Sequence, residues 1–477
     1  MNPAETRTPV IGRGAVVFGY AVMVALAVAV FLYVRSIGNG LVAPDAAAAV
    51  AAGPVVTHTS NTVFELLVSL TAIIVTARVM GAIFQYLYQP AVIGEVLGGI
   101  MLGPSLLGYF APNLYALALP PGVAPFLNVH AQVGVILYMF IVGLELDTGV
   151  VRTSGHATLA ISHASIIVPF TLGSALALVL YPALSSNAVP FTVFALFIGV
   201  AMSITAFPVL ARILTDRRMH RTRMGAVALT CAAIDDVTAW CLLALVVGIA
   251  QSRASDAVRP ILLTVAFIAV VVTVVGPLVR RILPRIERSA VLSRSTLALI
   301  VVGVLIAAMA TEAIGIHGIF GAFLFGAIIP STSPIVGQIR QKLEDLVAVL
   351  FLPVFFAFTG MRTEVGLIAG VGNWLLCGTI VLVACAGKFG GTIVASRLTG
   401  LGWRDASALG VLMNTRGLVE LIVLNIGLDL QLISPRLFTM LVIMAIVTTV
   451  MTTPILQLIV RKHPWVEMER SERSATA

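Results

Sequence analysis

Charge is scarce in this sequence. Asp, Glu, Lys and Arg make up only 10% of its 477 residues, where a soluble domain carries roughly a quarter. With 59% hydrophobic residues and a mean hydropathy of +1.06, that shortage excludes a water-soluble globule. It equally excludes a disordered scaffold, which needs low hydrophobicity and high charge. Polar/apolar alternation is missing too: the apolar stretches run for ~20 residues, the length of a membrane-crossing helix rather than a barrel strand. Cysteine is rare, and Cys231, Cys241, Cys377 and Cys385 all fall inside apolar runs. Buried inert thiols are expected there, not disulfides or a metal site. Lysine is rarer still, with three residues beside 26 arginines. What remains is an all-α membrane protein.

The net charge of +8 points to nucleic acid only until the positions are read. Arg217, Arg218, Arg221 and Arg223 stand between two apolar runs, as do Arg285, Arg288 and Arg294. That is the distribution the positive-inside rule gives to cytoplasmic loops, so no nucleic-acid partner is expected. Hydropathy yields fourteen apolar stretches, from 14–35 to 435–461 and including 315–331 and 347–362, which puts both termini in the cytoplasm. The first follows Arg7 and Arg13 and precedes an Ala-rich stretch at 46–52, features of a signal peptide or anchor. Its length, and Arg35 directly after it, favour a retained helix. Residues 1–57 therefore read as a span plus linker, and 462–477 as a cytoplasmic tail.

The thirteen core helices between them contain a duplication. GEVLGGIMLGP (94–104) and HGIFGAFLFGAIIP (317–330) each place small residues together, Gly98–Gly99 and Gly321–Ala322, with glycine five positions after the first. FIVGLELD (140–147) likewise matches AFTGMRTE (357–364), with Gly143 and Gly360 aligned. The copies fall at 58–250 and 295–461, six spans each, joined by a connecting helix within 251–294. Six spans plus one is odd, so the second copy enters the membrane from the opposite side. Such inverted repeats build secondary transporters with a site near the midplane.

Asp235 and Asp236 lie almost at the centre of the span 224–250. Asp236 is about 18 Å deep at ~1.5 Å per residue. A carboxylate at that depth costs at least ~2.5–3.5 kcal/mol, which marks a functional position. Adjacent helical residues point ~100° apart, so one acid can face a partner helix and the other an aqueous cavity. Lys388, central in 374–397, is the natural counter-charge; unlike a guanidinium, its ammonium can release a proton. Two spans are interrupted. SITAFP places Ser203 and Thr205 before Pro208, whose ring leaves a backbone carbonyl free, and NTRG places Asn414, Thr415, Arg416 and Gly417 mid-span. Free carbonyls and half-helix ends there can coordinate a cation. Arg416 and Glu420, four apart, form a supporting charge pair with each other or across to another helix. Glu95, Glu145, Asp147 and Glu312 lie nearer helix ends, and His163 and His317 lack a spaced second ligand, so no resident metal or cofactor is assigned.

These segments resemble the monovalent cation:proton antiporter-2 family, within the sodium/proton exchanger superfamily. The resemblance is carried by PAVIGEVLGGIMLGPSLLG (90–108), SITAFPVLARIL (203–214), AAIDDVTAW (232–240), LPVFFAFTGM (352–361), GKFGG (387–391) and NTRGLVELIVLNIG (414–427). The last is similar to the plant cation/proton exchanger branch and its bacterial relatives. The resemblance implies a homodimer in the cytoplasmic membrane, with a dimerisation domain and a mobile core that moves like an elevator. It makes Asp236 the ion- and proton-binding acid, pairs Asp235 with Lys388, and makes TAFP and NTRG two crossed, discontinuous helices. Only about sixteen residues follow position 461, so the cytosolic nucleotide-binding domain of glutathione-gated relatives is not expected. The function expected is exchange of Na⁺ or K⁺ for protons. Its rivals are a sodium-coupled solute symporter and an intramembrane aspartyl protease, the latter disfavoured because its acids belong on different helices.

Overall fold

The computed structural model describes residues 13–44, 62–145, 156–217, 219, 222–251, 258–287, 292–331 and 333–460. Asp147, Arg218, Arg221, Arg288 and the tail from 461 lie outside them. Among the described residues every regular element is a helix. That is what a hydrocarbon solvent demands, since only a helix satisfies its backbone donors and acceptors within one segment.

The long elements, in order, are α1 (Arg13–Gly38), α2 (Thr62–Tyr86), α3 (Ala91–Leu102), α4 (Ala124–Glu145) and α5 (His156–Leu184). There follow α6 (Phe191–Ser203), α7 (Phe207–Asp216), α8 (Arg223–Gln251) and α9 (258–287, with a π-helical turn at Val271–Val275). The second half holds α10 (Arg294–Ile314), α11 (Gly318–Ala327) and α12 (334–361, with a π-helical turn at Val347–Phe351). It closes with α13 (Val371–Leu398), α14 (Trp403–Met413), α15 (Leu418–Asp429) and α16 (Pro435–Val460).

Among the described residues twelve spans, α6–α7 counted as one, are long and apolar enough to cross a membrane, or thirteen if the bent pair α14–α15 counts as one span. The tenth expected stretch, 315–331, contains only the ten-residue α11. Gly315, left-handed at φ +94°, accepts the turn that ends α10, and Pro330 follows the far end, so about 15 Å of helix fits between them. Conversely, α12 starts at Pro334, well before the span expected at 347–362. Its first turns, QIRQKLEDL, are good helix formers too charged to register as a span.

The helices pack as two groups. In one, the frame, α3 lies on α2 and α12, and α11 lies on α10 and α4. In the other, the core, α5 and α13 lie together, flanked by α6, α8, α14 and α16. The first helix joins the core: α1 packs along α5, with Phe31 against Phe170 and Tyr20 edge-on to His163. Helix α6 is apolar all round and almost wholly buried, whereas α2 buries one stripe and leaves Val63, Leu67, Val75 and Val79 outside, facing lipid. Cys231 and Cys377 are buried and Cys385 half-buried, but Cys241 is exposed. An apolar run in a bundle has a lipid side, so a thiol within it need not be covered.

Glycine makes the frame tight, and it does so twice. A Cβ on Gly94 would lie 2.3 Å from the Met80 carbonyl oxygen of α2, and one on Gly321 would lie 2.0 Å from that of Ala307 on α10. A Cβ on Gly99 would meet the α12 backbone at Ala357 at 2.6 Å, and one on Gly326 would meet the Phe140 carbonyl of α4 at 2.3 Å. Gly360 and Gly143 lie on the opposite sides of the same two seams. Each glycine-bearing motif thus packs against the other half's second motif. The recurring contacts align Gly94 with Gly321 and Gly99 with Gly326, one helical turn from the register in which Gly98 matches Gly321. Backbone approach defines that register, and a motif rich in small residues leaves it ambiguous by a turn.

Candidate functional site

Both interrupted helices are observed. Helix α6 stops at Ser203, residues 204–206 are extended, and α7 resumes at Phe207. Pro208 lies in the first turn of α7, where its missing N–H leaves no intrahelical bond unmade, so it starts a half-helix rather than kinking a continuous one. The second pair, α14 and α15, meets at 44° across Asn414–Gly417. The two interruptions touch: the Ala206 N–H donates to the Thr415 carbonyl at 2.9 Å.

Around this junction the core buries a set of polar groups. Asp235 on α8 has no solvent exposure, and four donors converge on it. Ser162 Oγ donates to Oδ1 at 2.6 Å, and Ser165 Oγ and Thr205 Oγ1 donate to Oδ2 at 2.6 and 2.9 Å. Lys388 Nζ, equally buried on α13, lies 3.3 Å from Oδ2 and donates to Thr205 Oγ1 at 2.6 Å. The Thr205 hydroxyl has one proton and two acceptors within reach, Asp235 and the Met413 carbonyl at 3.0 Å.

Asp236 differs in every respect except burial. Among the described residues neither carboxyl oxygen has a hydrogen-bond partner. The Phe207 amide, first of α7, faces it short of hydrogen-bond geometry, and Asp235, Lys388 and Tyr138 lie within its electrostatic range. Tyr138 and Phe207 also line a cavity of about 750 Å³ between α4, α7 and α12, whose rim carries Glu145, Arg212 and Arg340. On this rim Arg340 pairs with Glu145 at 3.0 Å and Glu344 at 2.7 Å.

Charge at the second interruption serves the helix ends. Arg416 is fully buried; its Nη1 and Nη2 donate to the Ala201 and Met202 carbonyls at 2.7 Å, in the last turn of α6. Those carbonyls have no partner inside their own helix, and the cation offsets the negative helix end. Glu420, in the first turn of α15, accepts from Arg416 Nη1 at 2.9 Å and complements the positive end there. Thr449 on α16 clamps the backbone of Arg416 through both its N–H and its carbonyl.

The structure therefore places Asp235, Lys388 and Thr205 in one cluster with Asp236 beside it. Ser203 donates to backbone carbonyls, that of Gly199 at 2.7 Å among them, and Thr415 to Leu412 at 2.6 Å, so neither hydroxyl reaches the carboxylates by a hydrogen bond. Asn414 donates to Cys385 Sγ at 3.6 Å and leaves its own oxygen buried and unpartnered. Among the outer acids, Glu312 accepts the Gly318 N–H and caps α11. Sequence reasoning missed Ser162, Ser165, Thr449 and Tyr138. The one available signal was Ser162 and Ser165 three apart, on one face of an apolar helix.

The profile of the family described as sodium/hydrogen exchanger, transmembrane, matches residues 69–462. The chain belongs to that family. It is a transporter, not an enzyme, and the protease reading falls away with that. Among relatives of this exchanger, the Na(+)/H(+) antiporter NhaS4 of Synechocystis sp. is 44% identical over 407 residues, 85% of this chain and 98% of that protein. Cation/H(+) antiporter 18 of Arabidopsis thaliana is 40% identical over 83% of this chain and 50% of its own length. The K(+)/H(+) antiporter 1 of Saccharomyces cerevisiae is 36% identical over 79% and 44%, so the chain spans about half of each of these two proteins. The structure of the sodium proton antiporter MjNhaP1 from Methanocaldococcus jannaschii superposes with a TM-score of 0.61 at 13% identity, covering 83% of this chain and 96% of that one, a likeness of fold.

Proposed function

We propose that the protein exchanges a monovalent cation, Na⁺ or K⁺, for protons by alternating access, with Asp236 as the residue where the two compete. The observation that carries this reading is the contrast between neighbouring carboxyls: Asp235 is saturated by four donors, while Asp236 is buried, unpartnered and next to the walls of a large cavity. Deprotonated, Asp236 offers a charged oxygen ligand to a hard cation, with the Thr205 hydroxyl and the Met413 carbonyl as neutral oxygen donors nearby. Protonated, it loses the charge that holds the cation. If the core crosses only when loaded with one or the other, exchange follows. The exchange activities in the names of the relatives support the same reading.

The architecture is read as two inverted repeats, 58–250 and 295–461, with 251–294 between them, and the reciprocal glycine seams support it. The large cavity lies at the end of α7 that runs into Arg217, and Arg285 and Arg294 flank the loop between α9 and α10. By the positive-inside rule that mouth faces the cytoplasm of a cell whose membrane the protein spans. A homodimer joined through the frame, with the core as the moving body, completes the proposal.

The test is Asp236→Asn in proteoliposomes, with a pH dye reporting cation-driven proton flux. The variant is expected to fold and lose exchange. Exchange at the parent rate would remove Asp236 from the mechanism.

A further inference from the structure

Frame and core also meet at the far end of α12 from the large cavity, and this second mouth is nearly shut. Between α4, α11, α12 and α15 lies a pocket of only about 30 Å³, room for one or two waters. Frame residues Ala131, His317 and Phe358 line it, and Ile422, Asn425 and Asp429 line it from the core. Helix α12 packs on α3, α4 and α2, whereas α15 packs on α16 and α6, so contact between α12 and α15 joins the two groups. That contact is polar. Arg362, directly after α12, donates through Nη1 to Asn425 Oδ1 at 3.0 Å and through Nη2 to Asp429 Oδ1 at 2.5 Å. Asn425 returns a bond to the frame, Nδ2 to Thr359 Oγ1 at 2.8 Å. Phe358 braces the guanidinium, whose carbon lies 5.2 Å from the ring centre.

The open mouth shows the opposite arrangement at the corresponding place. Two residues after the motif glycines stand Glu145, after Gly143, and Arg362, after Gly360. Glu145 pairs with Arg340, frame to frame. Arg362 pairs across, frame to core.

We propose that Arg362, Asn425 and Asp429 form the gate of the second mouth: their bonds hold core to frame on the closed side and must break each time that side opens. The proposal rests on the alternating-access reading above. No acid or amide of the binding cluster takes part, so these are positioning residues acting through the orientation of α15.

The test is accessibility. Ala131→Cys places a thiol in the closed pocket, and a charged methanethiosulfonate reagent is applied to vesicles from the side opposite Arg217. Labelling is counted above that of the otherwise identical chain carrying Ala131. Arg362→Gln and Asp429→Asn are each expected to raise it about two- to five-fold, the population shift that follows loss of a partly exposed ion pair. The exchanged pair Arg362→Asp/Asp429→Arg should return it towards the parent. Unchanged labelling in both single variants, each monodisperse, overturns the gate.

Should the single variants fail to fold, Arg362→Cys/Asp429→Cys bridged by a short bis-methanethiosulfonate decides instead. Exchange should stop and resume on reduction, and unimpeded exchange by the bridged protein rejects the proposal. A parent that exchanges normally while labelling never responds counts against the gate alone. A parent that fails to exchange counts against the proposed function, whatever the labelling shows.

Discussion

The two interrupted helices solve one problem in two ways. Each leaves a pair of half-helix ends inside the membrane, with carbonyls or amides lacking partners. At the first break the polar groups are neutral: Thr205 and the Ala206 amide reach outward, to Asp235, Lys388 and the carbonyls of the second break. At the second break they are charged: Arg416 reaches across to cover the end of α6, and Glu420 covers the start of its own half-helix, α15. The lesson is a division of labour. Charges at the second break hold the junction together, which leaves the Thr205 hydroxyl of the first to serve Asp235 and Lys388.

The contrast can be broken at several points. Asp236→Asn has the largest expected consequence, complete loss of cation-driven proton flux without loss of fold, because its carboxyl makes no structural bond. Next come the two buried cations. Lys388→Ala and Arg416→Met each strand a buried carboxylate and should cost about 3–5 kcal/mol, read as a lower unfolding temperature in detergent. The double variant Arg416→Met/Glu420→Leu sharpens the comparison. Removing the stranded acid should restore part of the loss, but not all, since the Ala201 and Met202 carbonyls stay unpaired. Full recovery would show that Arg416 serves Glu420 and not the helix end. Thr205→Val keeps the shape of the first break and removes one hydroxyl. It is expected to cost about 1–3 kcal/mol and to weaken cation affinity, measured as a raised half-saturating concentration. The smallest effect belongs to Ser165→Ala, roughly 1 kcal/mol, because Asp235 keeps three other donors.

Much of this was legible in the sequence, for a physical reason. A carboxylate or ammonium costs so much in hydrocarbon that Asp235, Asp236 and Lys388 stand out in a chain with 10% charge. The i,i+4 spacing likewise exposed Arg416 and Glu420 as a pair. Ser162 and Ser165 escaped because a serine in a span can satisfy its hydroxyl on its own helix, and so carries no penalty to notice. Helix length escaped at α11 and α12 because hydropathy measures polarity, while the ends are set by Gly315 and Pro330 in one case and by charged helix formers in the other. The cavities were beyond reach of any one-dimensional pattern, since each lies between two bodies assembled from both halves of the chain.

The glycine seams carry one more consequence. A single methyl is wider than the gap at Gly94, Gly99, Gly321 or Gly326, so this chassis has no slack with which to bow and reshape either entrance. On the proposed alternating-access reading, the motion that swaps the wide entrance for the narrow one is slippage of the whole cargo-bearing unit along its flank. Part of that flank is the apolar crevice of about 20 Å³ where Val92, Ile93 and Val96 of α3 face Val209 and Leu421. A greasy wedge lodged in that crevice would jam the exchanger without coming near its carboxylates.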